Sequence, residues 1–141
     1  MLEIENTSEL ELPIGLLEDI ACEFTQALVE VIIVSSETMQ EINKAQRGID
    51  STTDVLSFPL EPTPHAPLGS IIINAGLCEL KALEYAHSSQ EECVLLFIHG
   101  LLHLLGFDHE IDDGEMRAKE EEIICKYSLP KSLIVRTQET T

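Results

Sequence analysis

The chain has 141 residues, the size of one ordinary domain, and 44% of them are hydrophobic, which is enough for a packed core and excludes a disordered chain. Its net charge of −18 disfavours broad binding to nucleic acid or to an anionic membrane. No signal peptide is recognisable, and the longest apolar run, residues 94–107, is too short to span a bilayer. We expect a single domain over residues 1–141, partly flexible from about residue 128.

The first half of the chain alternates predicted strands and helices. Residues 2–6 alternate apolar and polar side chains, which predicts a strand. A helix is expected to open near Pro13, with apolar residues at helical spacing. Residues 29–35 are rich in β-branched side chains and predict a second strand. A short helix follows, with Ser35 or Ser36 as its N-cap and Gly48 at its end.

The second half contains two more predicted strands and three helices. The strands cover residues 53–60 and 69–74, with a proline-broken loop between them. One helix is expected at residues 77–86, and the next runs from a capping box at Ser88 to Gly106. The last helix, residues 113–127, has an apolar stripe among glutamates. The stripe consists of Met116, Ile123, Ile124 and Tyr127.

The interleaved strands and helices predict one α/β (α+β) domain with a mixed sheet of about four strands. The helix over residues 88–106 is apolar nearly all round and is expected in the centre of the fold. Beyond residue 128, the tail is expected to add a short apolar contact through Leu133, Ile134 and Val135.

The four cysteines are scattered along the chain and form no C-x-x-C pair. Without a secretory signal, they are expected to be reduced core residues, and the protein is expected in the cytoplasm. The four are Cys22, Cys78, Cys93 and Cys125.

Three histidines mark the central helix and its end. His99 and His103 are four residues apart and therefore lie on one face, and His109 follows Gly106, where the chain can leave the helix and turn back. A buried imidazole without a hydrogen-bond partner costs on the order of 1–3 kcal/mol, whereas a shared metal ion satisfies all three rings. The spacing predicts a metal site; three separately satisfied core histidines are the alternative.

Three protein ligands leave a fourth tetrahedral position for water, which is typical of a catalytic zinc site. We therefore expect one Zn²⁺ ion held by His99, His103 and His109. Asp108 either orients a ligand or a water from outside the coordination sphere or stabilises a turn. His65 and His87 have no comparable partners and are expected at the surface.

Gly100 separates this pattern from a peptidase. The metzincin peptidases use a similar spacing, but a glutamate that acts as general base follows their first histidine. Here Gly100 occupies that position, which disfavours peptide hydrolysis. Glycine inside a helix costs roughly 1 kcal/mol relative to alanine, so either a neighbouring segment packs close to Gly100 or the space must stay open for a bulky substrate.

The segment HGLLHLLGFDH, residues 99–109, resembles the signature of the YbeY family, bacterial metal-dependent endoribonucleases that act in ribosomal RNA maturation. The strand at residues 69–74 also lies where the family has its last strand before the histidine helix, so the resemblance covers roughly residues 42–124. The chain departs from the family at Ser70, where an acid is usual, and at Ile49, where lysine is frequent. Residues 42–59 match the family at Asn43, Arg47, Asp50, Thr53, Asp54, Val55, Leu56, Ser57, Phe58 and Pro59.

The resemblance implies a zinc-dependent endoribonuclease, specific for single strands, that matures the 3′ end of small-subunit ribosomal RNA and acts in ribosome quality control. It implies catalytic roles for His99 and for Arg47, whose guanidinium would hold the scissile phosphate. RNA would contact Arg47, Lys44 and Ser57. The implied partners are a ribosomal protein and a ribosome-assembly GTPase, with no DNA and no membrane.

Two rival functions remain open. One is a metal-dependent hydrolase of another bond, such as a peptidase. The other is a ribosome-assembly factor without enzymatic activity, whose zinc is structural. The chain has no row of basic residues for salt-driven RNA binding, so we expect either that the substrate is delivered on the ribosome or by partners, or that activity on free RNA is weak.

Overall fold

The computed structural model of the protein describes residues 1–61, 66–108 and 110–130. Within these residues the chain forms four strands and five helices. In chain order they are β1 (Leu2–Asn6), α1 (Ile14–Cys22), β2 (Val29–Val34), α2 (Ser36–Arg47), β3 (Val55–Pro59), β4 (Gly69–Asn74), α3 (Ala75–Glu84), α4 (Ser89–Leu104) and α5 (Glu115–Tyr127).

The strands form one mixed sheet in the order β1-β2-β4-β3. β1, β2 and β4 run parallel, and β3 runs antiparallel to β4 along one edge. The register places Ser57 of β3 opposite Ile71 of β4. The predicted α/β fold with a four-stranded mixed sheet is confirmed.

Helices cover both faces of the sheet because the central strands are apolar on both faces. Ile71 and Ile73 belong to the larger core, which also contains buried residues of α1 and α4. Ile72 and Leu56 pack in a smaller cluster with Met39 of α2. Alternate residues of β4 therefore pack into hydrophobic cores on opposite faces of the sheet, and α4 lies on the face with the larger core.

The central position of α4 is confirmed. Every residue from Glu92 to Leu104 is buried except His99 and His103, which are half-buried. The helix begins with the predicted capping box, in which Ser88 accepts a hydrogen bond from the backbone of Glu91 and the Glu91 side chain accepts one from the backbone of Ser88.

Gly106 ends this helix through a Schellman motif. Its φ of +99° is strained for residues with a side chain. Gly106 N–H donates to the carbonyl of His103, and Phe107 N–H donates to that of Leu102, each at 3.0 Å. The chain therefore turns away from the helix one turn after His103.

Two helices begin at other residues than predicted. α3 starts at Ala75 because the Asn74 side chain caps it by accepting a hydrogen bond from Leu77 N–H at 3.1 Å. α5 starts at Glu115 because Asp112 organises a turn before it, accepting from the backbone N–H groups of Gly114 and Met116.

Two predictions about burial, one for the cysteines and one for His87, were wrong at least in part. Cys78 and Cys93 are buried, but Cys22 and Cys125 are exposed free thiols, because each lies near the exposed C-terminal end of its helix. His87 is not a surface residue, since its side chain is 8% exposed and pairs with the buried Glu92.

His65 and the predicted tail contact at Leu133, Ile134 and Val135 lie outside the described residues. In the part of the chain that is described, no helix is both long enough and apolar enough to cross a membrane.

Candidate functional site

His99 and His103 face each other on α4, and between Glu92 and Leu104 they are the two residues that are not buried. Their Nε2 atoms are 3.2 Å apart, and their rings meet edge to face with centroids 4.8 Å apart. The structure therefore brings together two of the three residues predicted as metal ligands.

The separation of the two nitrogens fits a shared metal ion. Two nitrogens bound to a tetrahedral zinc ion at about 2.0–2.1 Å lie about 3.3–3.4 Å from each other. The observed 3.2 Å is close to this value. The third predicted ligand, His109, lies outside the described residues, and among those residues no group of three or more His, Cys, Asp or Glu side chains could hold a metal ion.

Glu120 of α5 supports His99 from the side opposite His103. Its Oε2 lies 2.7 Å from His99 Nδ1, and the residue is only 1% exposed. Glu120 is not among the residues predicted for the site because it stands in a run of glutamates. The available signal was its position on the stripe of Met116 and Ile123, at spacings of four and three residues.

Gly100 packs against the sheet. A Cβ atom built on it would lie 2.8 Å from Ile71 Cγ2 and 3.1 Å from Ser57 Oγ. Ser57, predicted to contact the substrate, is half-buried and donates a hydrogen bond to the Gly100 carbonyl at 3.0 Å. Of the two explanations for this glycine, close packing is therefore correct and an open space is wrong.

Asp108 is half-buried and lies in the loop after α4. Its Oδ1 accepts a hydrogen bond from Glu110 N–H at 3.0 Å, and its carbonyl accepts from Ile111 and Asp112 N–H. These contacts are those of a turn carboxylate, one of the two roles expected for this residue.

The two basic residues predicted to meet RNA lie at the C-terminal end of α2. Lys44 and Arg47 are exposed, and Gly48, with φ +71°, ends the helix directly after them. Lys44 Nζ lies 3.8 Å from Asp50 Oδ2, so part of its charge is offset. Within the described residues no ion pair joins Arg47 to a carboxylate.

Ser70 and Cys93 lie on β4 and α4, a strand and a helix that meet at Gly100. Ser70, which stands where the family usually has an acid, donates to Glu30 Oε1 at 2.7 Å. Cys93 lies on the same helix as the histidines, and burial, with a smaller contribution from Glu92, raises the pKa of its thiol to about 12. Such a thiol stays protonated at neutral pH and is a poor metal ligand.

The fold and the paired histidines define an α/β protein with a candidate site on a central helix. The family model described as Endoribonuclease YbeY matches residues 11–128. Endoribonuclease YbeY of a Helicobacter pylori strain is 56% identical over 141 residues, which cover 99% of each chain. The homologue of the same name from a Nitratiruptor species is 54% identical over 140 residues, covering 99% of this chain and 97% of its own.

A solved structure agrees with these matches. The solution structure of a Thermotoga maritima protein superposes with a TM-score of 0.62 at 31% sequence identity, covering 88% of this chain and 87% of that one. The chain belongs to the YbeY family of endoribonucleases.

Proposed function

We propose that the chain is a zinc-dependent endoribonuclease that cleaves single-stranded RNA during ribosomal RNA maturation, including the 3′ end of the small-subunit RNA. His99, His103 and His109 hold the zinc ion. The observation that carries the proposal is the 3.2 Å separation of the His99 and His103 Nε2 atoms in a part of α4, Glu92 to Leu104, that is otherwise buried. Family membership supports the choice of RNA as substrate, because the relatives are named endoribonucleases.

A bound zinc ion would supply a Lewis acid that polarises a phosphoryl oxygen and lowers the pKa of water toward about 7. The protein's own part is to hold the two imidazoles at a fixed spacing on a rigid helix. The residues on either side of His99 and His103, from Glu92 to Leu104, are buried.

Arg47 binds the scissile phosphate in this proposal. A guanidinium donates two parallel hydrogen bonds to a phosphate, and its charge offsets the negative charge that develops during cleavage. Its exposure and its lack of an ion pair within the described residues support this role over that of Lys44, which already has Asp50 beside it. Ser57 serves the site through Gly100, and a direct contact with RNA remains a prediction.

The packing of Gly100 supports an RNA substrate over a peptide. A glutamate at this position would place its Cβ 2.8 Å from Ile71 and 3.1 Å from Ser57, so the general base of a metzincin has no room here. The peptidase alternative therefore lacks its base.

The charge of −18 supports delivery of the RNA by partners, because salt-driven binding to free RNA requires many lysines and arginines. We propose that the chain acts on RNA presented by the ribosome, in contact with a ribosomal protein and a ribosome-assembly GTPase, in the cytoplasm.

The test compares cleavage by the purified, zinc-loaded chain on a single-stranded RNA, the same RNA as a duplex, and ribosomes carrying precursor RNA, with casein as the peptidase control. We expect cleavage of single-stranded regions, strongest on ribosomes, no hydrolysis of casein, and no RNA cleavage by His103→Ala. Casein hydrolysis by the wild type would favour the peptidase. Full zinc content without cleavage of any RNA would favour the assembly factor.

A further inference from the structure

Glu120 is a buried carboxylate on a helix whose other glutamates are solvent-exposed. It lies on the inward stripe of α5 between Met116 and Ile123, both buried. Removing a carboxylate from water is costly unless it is paired and hydrogen-bonded. A leucine at this position would continue the apolar stripe without that cost, so the choice of a carboxylate requires a partner that benefits from it.

The partner is His99. Its Nδ1 lies 2.7 Å from Glu120 Oε2, although the two residues are 21 positions apart in the chain. An ionised carboxylate only accepts hydrogen bonds, so with Glu120 ionised the proton of this contact is on Nδ1. The opposite nitrogen of His99, Nε2, is then the one with a lone pair, and it is the nitrogen that faces His103 Nε2.

We propose that Glu120 is a positioning residue that fixes the tautomer and the orientation of His99 and makes its Nε2 a better metal ligand. The inference rests on the proposed zinc site. Carboxylates that hold a ligating histidine in this way contribute about 10–100-fold to metal affinity in other proteins. α5 thereby takes part in the site through one buried side chain.

The chain contains a matched control at the N-terminal end of α4. His87 Nε2 and Glu92 Oε1 are also 2.7 Å apart, and the Glu92 side chain is 0% exposed. This second pair lies at the N-terminal end of α4, and neither of its residues belongs to the proposed ligand set. A general loss of packing would affect both pairs, whereas a positioning role belongs to Glu120 alone.

The experiment measures zinc affinity by chelator competition in the full chain for wild type, Glu120→Gln, Glu120→Leu and Glu92→Gln, with circular dichroism as the check on folding. We expect the Gln variant at position 120, which keeps an acceptor and loses the charge, to bind zinc about 10-fold more weakly and the Leu variant up to about 100-fold more weakly. Glu92→Gln should bind zinc like the wild type.

A second readout needs no metal. Nitrogen NMR of histidine-labelled, zinc-free protein at a pH where the rings are neutral should show His99 protonated on Nδ1 in the wild type and in Glu120→Gln, and mainly on Nε2 in Glu120→Leu. Wild-type zinc affinity in both variants at position 120, or an equal loss of zinc affinity in Glu92→Gln, would overturn the role of Glu120. Neither result would contradict the zinc site itself. If the Leu variant does not fold, the Gln variant decides. A wild-type chain without zinc affinity would overturn the proposed site itself.

Discussion

The hydroxyl of Ser57 donates a hydrogen bond to the carbonyl of Gly100 at 3.0 Å, and this contact ties the edge strand β3 to the helix that carries the histidines. The contact is made directly after His99. Because Gly100 has no side chain, α4 can lie close enough to Ile71 and Ser57 for the bond to form. The distance between α4 and the sheet is therefore determined by contacts of Gly100, the residue next to His99.

Replacing Gly100 with alanine should destabilise the protein. The added Cβ would lie 2.8 Å from Ile71 Cγ2 inside a packed layer, and overpacking of this kind costs about 1–3 kcal/mol. The free energy of unfolding, measured by urea denaturation, should fall by that amount.

Gly15→Ala is the matched control for this substitution. Gly15 is also in a helix, α1, but nothing lies within 4 Å of a Cβ built on it. Alanine there should leave stability unchanged or raise it by up to about 1 kcal/mol. A Gly100→Ala protein as stable as Gly15→Ala would show that the contact with the sheet is not tight.

Local sequence signals predicted most of the helix that carries the site. These signals are the spacing of His99 and His103, the capping box at Ser88 and the glycine at position 106. Each depends on residues within one or two helical turns, so it can be recognised without knowledge of the fold. The sheet was predictable for the same reason, since β-branched runs and prolines mark its strands.

Long-range contacts could not be predicted in this way. Glu120 lies 2.7 Å from His99 although the two residues are 21 positions apart, and its place on the stripe of Met116 and Ile123 indicates burial but not this partner. His87 looked like a surface residue because its burial depends on how the segment before α4 packs beside Glu92. The close packing that requires a glycine at position 100 could not be predicted either, because the residues that pack against it, Ile71 and Ser57, come from two different strands.

Arg47→Ala should impair cleavage without loss of zinc. Loss of one donor that stabilises developing charge lowers the rate by about 10²–10³-fold, and Arg47→Lys should recover only part of it because an ammonium cannot make the bidentate contact. Rates on ribosome-bound precursor RNA and the zinc content of each variant measure this. Arg117→Ala is the control, since Arg117 is a surface arginine that pairs with Glu121. Unchanged cleavage by Arg47→Ala would remove Arg47 from the mechanism.

Tyr127 should titrate at unusually high pH. Its hydroxyl donates to Glu23, and this hydrogen bond, with smaller effects of burial and nearby charge, raises the pKa of Tyr127 to about 12. Because the folded-state pKa is raised, this contribution to stability is fully present below about pH 10 and is lost as the pH rises through about 12. In Glu23→Gln the tyrosinate absorbance should appear at lower pH; an unchanged titration would rule out this contact.

For Glu23, the acceptor in this contact, the contribution to stability depends on pH in the opposite direction. Hydrogen bonds from Lys126 and then Tyr127 lower the pKa of this carboxyl. The stabilisation is therefore present above the ordinary pKa of a glutamate and is lost as the pH falls through the lowered value. Acid titration followed by carboxyl NMR should show Glu23 ionised to lower pH in the wild type than in Tyr127→Phe, and equal titration in the two proteins would contradict the assignment.

The cysteines should fall into two classes of reactivity. Cys22 and Cys125 are exposed, whereas Cys78 is buried and donates to the carbonyl of Ser89, and burial raises the pKa of Cys93 to about 12. A thiol-reactive disulfide reagent should modify two thiols quickly in the native chain and all four after denaturation. The double variant Cys22→Ser, Cys125→Ser should lose the fast phase, and rapid modification of Cys93 would contradict its burial.

The most direct test of the central claim, a zinc ion shared by His99, His103 and His109, is the zinc content of the full chain after dialysis against metal-free buffer, measured by mass spectrometry of the metal. His87→Gln is the control, because His87 pairs with Glu92 at the other end of α4. The predicted result is about one zinc ion per chain in the wild type and in His87→Gln, and almost none in a folded His103→Ala protein. Full zinc content in His103→Ala, or none in the wild type, would contradict the claim.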